Sequence, residues 1–193
     1  MPTRALFLRK PLPFSMRMGS LMLLTLLTSL APLTAHADDY SDVNQLLKSG
    51  KGTEALAKAD KYLADKPKDP QMRFLKGVIQ TQAGNTTEAI ATFTALTQDY
   101  PELPEPYNNL AALLASQNQL DKARTALEMA IRINPGYAIA HENLGDIYAR
   151  MANQSYARAQ QLEPGNAQLA PKMALIRDVF NVGAKPAKPA AKK

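Results

Sequence analysis

Three prolines, Pro67, Pro101 and Pro135, follow one another at equal intervals, and one pattern of small and apolar residues precedes each. Before Pro101 stand Gly77, Gly84, Ala89 and Phe93; before Pro135, at the same offsets, Ala111, Asn118, Ala123 and Leu127. Before Pro67 the register gives Val43, Gly50, Ala55 and Ala59. A fixed period of this length means a stack of like supersecondary units, none of which can bury its apolar face alone. The architecture is constrained before any local propensity is consulted, and a repeat array favours binding over catalysis.

Between the prolines, apolar residues recur at helical spacing. Leu110, Leu113 and Leu114 share a face of one helix, and Leu120, Ala123, Leu127, Ala130 and Ile131 line the next. The polar stretch 116–119 between them predicts a turn, with Asn118 in the left-handed conformation that ends a helix. The unit before it repeats the design: Phe74, Leu75 and Val78, a turn at 83–86, then Ala89, Ile90, Phe93 and Leu96. There Gly84 suits the left-handed position, and Thr86 or Thr87 is expected to cap the following helix. The first unit has Val43, Leu46 and Leu47, a turn at 50–52, then Ala55, Leu56, Ala59 and Leu63. Each proline closes a second helix and opens the link to the next hairpin.

These residues resemble tetratricopeptide repeats: Leu110, Ala111, Ala123, Leu127, Ala130 and Pro135 in one unit, Gly77, Ala89, Phe93 and Pro101 in another. The resemblance runs from about Tyr40 to Pro164. It implies an all-α fold, an α-solenoid of about 3.5 helix hairpins closed by a C-terminal capping helix. Gly77, Ala111 and Gly145, like Ala89 and Ala123, match sites where two helices approach closely in the family. The family's frequent tryptophan is absent; Arg73, Tyr107 and His141 hold its place, and His141 is expected to pack into that slot.

The fourth unit breaks the period. It begins normally with His141, Leu144, Gly145 and Tyr148, but the next proline, Pro164, comes five positions before the place the period assigns it. The five missing residues are those of the inter-helix turn, and residues 151–154 contain neither Gly nor Pro. One continuous helix over about 139–162, roughly 35 Å long, is the first expectation; a hairpin with two or three turn residues is the other. A last helix from Pro171, as its first residue, to about Asn181 would cap the stack with Met173, Leu175, Ile176, Val179 and Phe180.

Charge and inventory exclude several functions. Arg4, Arg9, Lys10 and Arg17 precede an apolar run over Leu21–Leu33, then Ala35, His36 and Ala37, with no acidic residue before Asp38. That order predicts a secretory signal peptide over 1–37, cleaved after Ala37, and hence a periplasmic or secreted protein with no stable membrane insertion afterwards. The chain carries 23 basic and 17 acidic residues, but residues 38–182, the expected repeat domain, carry 15 against 17. No basic stripe remains for nucleic acid. The chain has no Cys, and His141 is its only His beyond the leader, so a Cys/His metal site or a Cys-His pair lacks its residues and a Ser-His arrangement would have to rest on that one histidine, which nearly excludes all three. No cofactor is expected. Residues 183–193 read as a disordered Lys/Pro/Ala-rich tail, whose Lys185, Lys188, Lys192 and Lys193 could touch anionic envelope polymers or lipid surfaces.

The resemblance implies that the first helix of each hairpin lines a groove holding a protein or extended peptide segment. The family's groove positions fall here on Asn44, Phe74, Val78, Asn108, Asn109, Ala112, Glu142, Asn143, Asp146 and Arg150. Asn109 and Asn143 lie one period apart and are expected to point the same way, each amide offering a donor and an acceptor to a peptide group. One subset of the family clamps a terminal carboxylate with basic residues; the corresponding places here hold Gln71, Phe74, Glu105, Asn108 and Glu142, so that clamp is absent. Asp146 and Arg150, four residues apart, read as an intrahelical ion pair rather than as an acid/base couple. The resulting expectation is a non-enzymatic adaptor, with action through the basic tail as a second reading and an enzyme subunit as a third.

Overall fold

The computed structural model describes residues 31–181, with side chains from Asp39 onward. Most of the expected leader and all of the tail beyond Asn181 lie outside the described residues. The described residues form eight helices and no strand: α1 (Ala31–Lys48), α2 (Gly52–Asp65), α3 (Pro70–Gln82), α4 (Thr86–Asp99), α5 (Pro104–Ser116), α6 (Leu120–Ile133), α7 (Ala138–Leu162) and α8 (Leu169–Phe180). The described residues divide into two units between Asp42 and Val43, so α1 belongs to the first up to Asp42 and the array proper begins at Val43. Within the second unit each helix from α2 to α8 packs on the next, and α5 also meets α7.

The turns show why the pattern repeats. Gly50, Gly84 and Asn118 stand one period apart, and all three have positive φ, 72°, 78° and 59°. At each, the next amide reaches back five residues: Lys51 N–H to the Leu46 carbonyl, Asn85 to Gln80 and Gln119 to Leu114, all at 2.9 Å. This is the Schellman arrangement, which satisfies carbonyls that a helix end leaves open. The expected threonine cap is not there. Asn85 holds the N-cap position of α4 without a side-chain bond, and Thr86 is already the first helical residue. Asp69 does cap α3, accepting from the Met72 N–H at 2.8 Å.

Within a hairpin the expected close contacts are real where the second helix exists. Phe93 is fully buried and meets Phe74 edge-on at 5.6 Å, and a Cβ on Gly77 would sit 2.7 Å from its ring. The core then runs through Ala111, Leu114, Ala123, Leu127 and Ala130 to Ala140 and Ile147. The start of each unit is tied to the end of the previous hairpin or to its own: Arg73 pairs with Asp99 at 2.7 Å, and Tyr107 Oη donates to the Thr97 carbonyl at 3.2 Å.

The fourth unit is one helix of 25 residues. The position that should carry its left-handed turn residue, one period beyond Asn118, is Ala152. Alanine is the best helix former and has no tendency to the left-handed region, so the helix runs on. Two expectations fail with the missing partner helix, and a third is shifted at the last helix. A Cβ on Gly145 would meet nothing within 4 Å, so no close approach exists there. His141 is exposed instead of packed in a slot, its Nε2 lying 3.0 Å from the Pro135 carbonyl. The capping helix begins at Leu169, with Pro171 third instead of first; the opening turn tolerates it because those amides lack intrahelical partners. Of its apolar residues Met173 and Ile176 are half-buried, whereas Leu175, Val179 and Phe180 are exposed.

Candidate functional site

A groove of about 460 Å³ runs between α5 and α7, lined among others by Ala111, Ala112, Ala115, Asn143, Asp146 and Arg150. Its floor is small because α5 carries alanine where the two first helices approach. Phe180, at the end of α8, forms one end of it. Four sequence-derived positions therefore converge: Ala112, Asn143, Asp146 and Arg150. Glu142 is exposed on α7 beside them. Asn44 on α1 is half-buried, and Phe74 and Val78 on α3 are half-buried against the Phe93–Leu96–Leu113 cluster. These three do not line the α5–α7 groove.

The two period-related asparagines behave differently. Asn109 Nδ2 donates to the Glu105 carbonyl one turn earlier in its own helix, at 2.9 Å. Asn143 Nδ2 reaches across to Asn108 Oδ1 at 2.8 Å, and Asn108 is buried. A buried amide oxygen without a donor costs about 1–3 kcal/mol, so the Asn143–Asn108 bond holds α7 to α5. Arg150 does the same further along. Its Nη2 donates to the Ala115 carbonyl at 3.0 Å, near the C-terminus of α5, where open carbonyls attract a cation. The expected Asp146–Arg150 ion pair is therefore not made; the guanidinium finds a better acceptor across the groove than along its own helix.

The consequence is electrostatic. Asp146 and Glu142 project from α7 one turn apart, exposed, and neither enters an ion pair among the described residues. Glu105, at the start of α5, adds a third carboxylate at that end: burial, and then the charge of Glu105, raises the pKa of Tyr137 just before α7. Ile139, also exposed, lies one turn before Asn143 and presents an apolar surface beside the acids. The spacing placed Glu142 and Asp146 on this surface and pointed to a neutral or cationic partner; what it did not announce is Phe180. Phe180 reaches the groove only because α8 folds back, and the acids are freed only because Arg150 is engaged elsewhere.

Among the described residues, no group of three or more His, Asp or Glu could hold a metal ion, and no helix is long and apolar enough to cross a membrane. The surface offers donors, acceptors and negative charge around a shallow apolar floor.

A tetratricopeptide repeat model matches residues 43–104 and a TPR repeat model matches residues 113–151. Among curated proteins, the TPR repeat-containing thioredoxin TTL4 of Arabidopsis thaliana is 34% identical over 82 residues, covering 42% of this chain and 12% of that protein. The tetratricopeptide repeat domain-containing protein PYG7, chloroplastic, of the same plant is 29% identical over 85 residues, 42% of this chain and 28% of that protein. The chain thus spans under a third of the length of these relatives. Among solved structures, the first TPR of Spaghetti (RPAP3) bound to the HSP90 peptide SRMEEVD superposes with a TM-score of 0.57 at 17% identity, covering 60% of this chain and 92% of that one. MamA gives 0.54 at 21% identity, covering 72% and 85%. The Yersinia enterocolitica chaperone SycD with a peptide of the translocator YopD gives 0.56 at 16% identity, covering 61% and 95%. At these identities the likeness is one of fold.

Proposed function

The chain belongs to the tetratricopeptide repeat family, and from that premise we propose that it is a non-enzymatic adaptor of the cell envelope. It holds an extended protein segment in the α5–α7 groove, where the array presents a surface and performs no chemistry. The observation that carries this reading is the groove itself: a floor of alanines narrow enough for a backbone to approach, with Asn143 and Asp146 along one wall. Proteins of the same fold hold peptides in solved structures, SycD a YopD segment and the RPAP3 repeat an HSP90 peptide. Envelope location rests on the leader-like order of residues 1–37. The partner segment is neutral or cationic, because Glu142 and Asp146 would repel an acidic one.

The test places a photo-crosslinking amino acid at Ala112, exposed on the groove floor, and in a second variant at Arg132, exposed on α6. Irradiation in living cells is expected to give a discrete protein adduct from position 112 and none from 132. Adducts from 132 alone, or from neither, sink the groove reading. Asn143 is a poor probe, since replacing it would strand Asn108 and loosen α7.

A further inference from the structure

Given that the groove is a peptide site, we infer that residues 184–193 of this same chain occupy it in cis, and that an outside partner must displace them. The chain leaves α8 at the right place: Phe180 lines the groove together with Ala112, Asn143 and Asp146, and the sequence continues from there to Lys193. The charges are complementary. Lys185, Lys188, Lys192 and Lys193 have no acidic neighbour in the segment, and the groove's far end offers Asp146, Glu142 and Glu105.

The reach also agrees. An alternating Pro/Ala/Lys segment in a polyproline II form rises ~3.1 Å per residue, so Lys185 lies up to about 12 Å beyond Asn181. Lys188 then lies about 9 Å further on the same rise. Asp146 and Glu142 are about 6 Å apart along α7, within the span of two lysine side chains. Arg150 and Arg177 stand at the Phe180 end of the groove region, so the lysines gain only once the chain has passed them. Arg150 is already committed to the Ala115 carbonyl, which softens that repulsion. Proline and alanine, small and without long side chains, match the alanine floor. A tethered ligand also acts at an effective concentration of about millimolar, so a weak contact suffices to fill the site.

Because the chain has no cysteine, Ala191→Cys takes a single nitroxide label, and amide broadening then reports where the tail sits. In protein isolated from the producing cells, the amides of Ala112, Asn143 and Asp146 are expected to broaden. The broadening should survive tenfold dilution, and should vanish in about 1 M salt, where screening falls to ~3 Å, or with Glu142→Lys plus Asp146→Lys, both at exposed positions. No groove broadening overturns the inference. So does broadening lost on dilution, which means a second copy, or tail signals that respond only to phosphatidylglycerol vesicles, which means a lipid surface. The crosslinking assay separates this from the groove reading. Ending the chain at Gly183 should raise the adduct yield from position 112 several-fold. Equal yields sink the tail alone, and no adduct from either chain sinks the groove while the nitroxide still decides the tail.

Discussion

Gly77 and Gly145 occupy the same position in the second and fourth units, two periods apart, yet they answer differently to one methyl group. At Gly77 the added carbon lies 2.7 Å from the buried Phe93 ring, which has nowhere to retreat; at Gly145 it meets open space. Gly77→Ala is expected to cost about 1–3 kcal/mol by overpacking, and Gly145→Ala to gain up to about 1 kcal/mol from helix propensity. Urea unfolding of both variants checks this. A loss at Gly145 equal to that at Gly77 would mean that a helix packs there after all. Spacing alone aligned these glycines with Ala111, and it could do no more. Whether a small residue is required depends on the helix opposite, which for Gly145 does not exist. The same limit hid the site's chemistry. Asn109 and Asn143 share a register position, but which acceptor each amide finds is set by the neighbouring helix, and only Asn143 has Asn108 across from it.

At the scale of elements the chain was far more legible, because its helix boundaries rest on local chemistry. Gly50, Gly84 and Asn118 each place a left-handed residue where a helix must stop, and each helix stops there. The missing signal at Ala152 was equally readable, and α7 passes through it. Less legible were the ends without such chemistry: Thr86 inside α4 where a cap was expected, and Pro171 two residues into α8. A proline substitution tests the continuity of α7. Ala152→Pro removes an interior hydrogen bond and sets its ring against the carbonyl four residues earlier, so it should lower stability by about 3 kcal/mol or more. Had residues 151–154 formed a tight turn, proline there would cost little. A loss under about 1 kcal/mol, within the range of ordinary helix propensities, would restore the hairpin reading. Thermal unfolding followed by circular dichroism distinguishes the two.

Over the whole second unit, burial is graded, and the gradient follows from the shortened repeat. Each inner helix is covered on both sides by its neighbours, so α5 and α6 carry six and five buried residues. The 25-residue α7 has only Ala140 and Ile147 buried, and α8 only Leu169. All the large apolar residues exposed in the described chain, from Ile139 to Phe180, fall on these last two helices. In a stack held together by nearest-neighbour contacts, an end with so few buried groups opens locally without unfolding the centre. Native-state hydrogen exchange of the chain ended at Gly183, whose groove is empty, is therefore expected to show α4–α6 exchanging only through global unfolding. The second half of α7, from Asn153 on, and α8 should exchange through a smaller opening that depends weakly on denaturant. Uniform protection from α2 to α8 would contradict this and would imply that something covers the terminal helices. The groove sits across the boundary between these regimes: its floor on α5 is rigid, while Phe180 at its end is carried by the loosest helix. A segment bound there should tie α8 down, so peptide-bound protein is expected to gain protection in α8 before it gains any in α5.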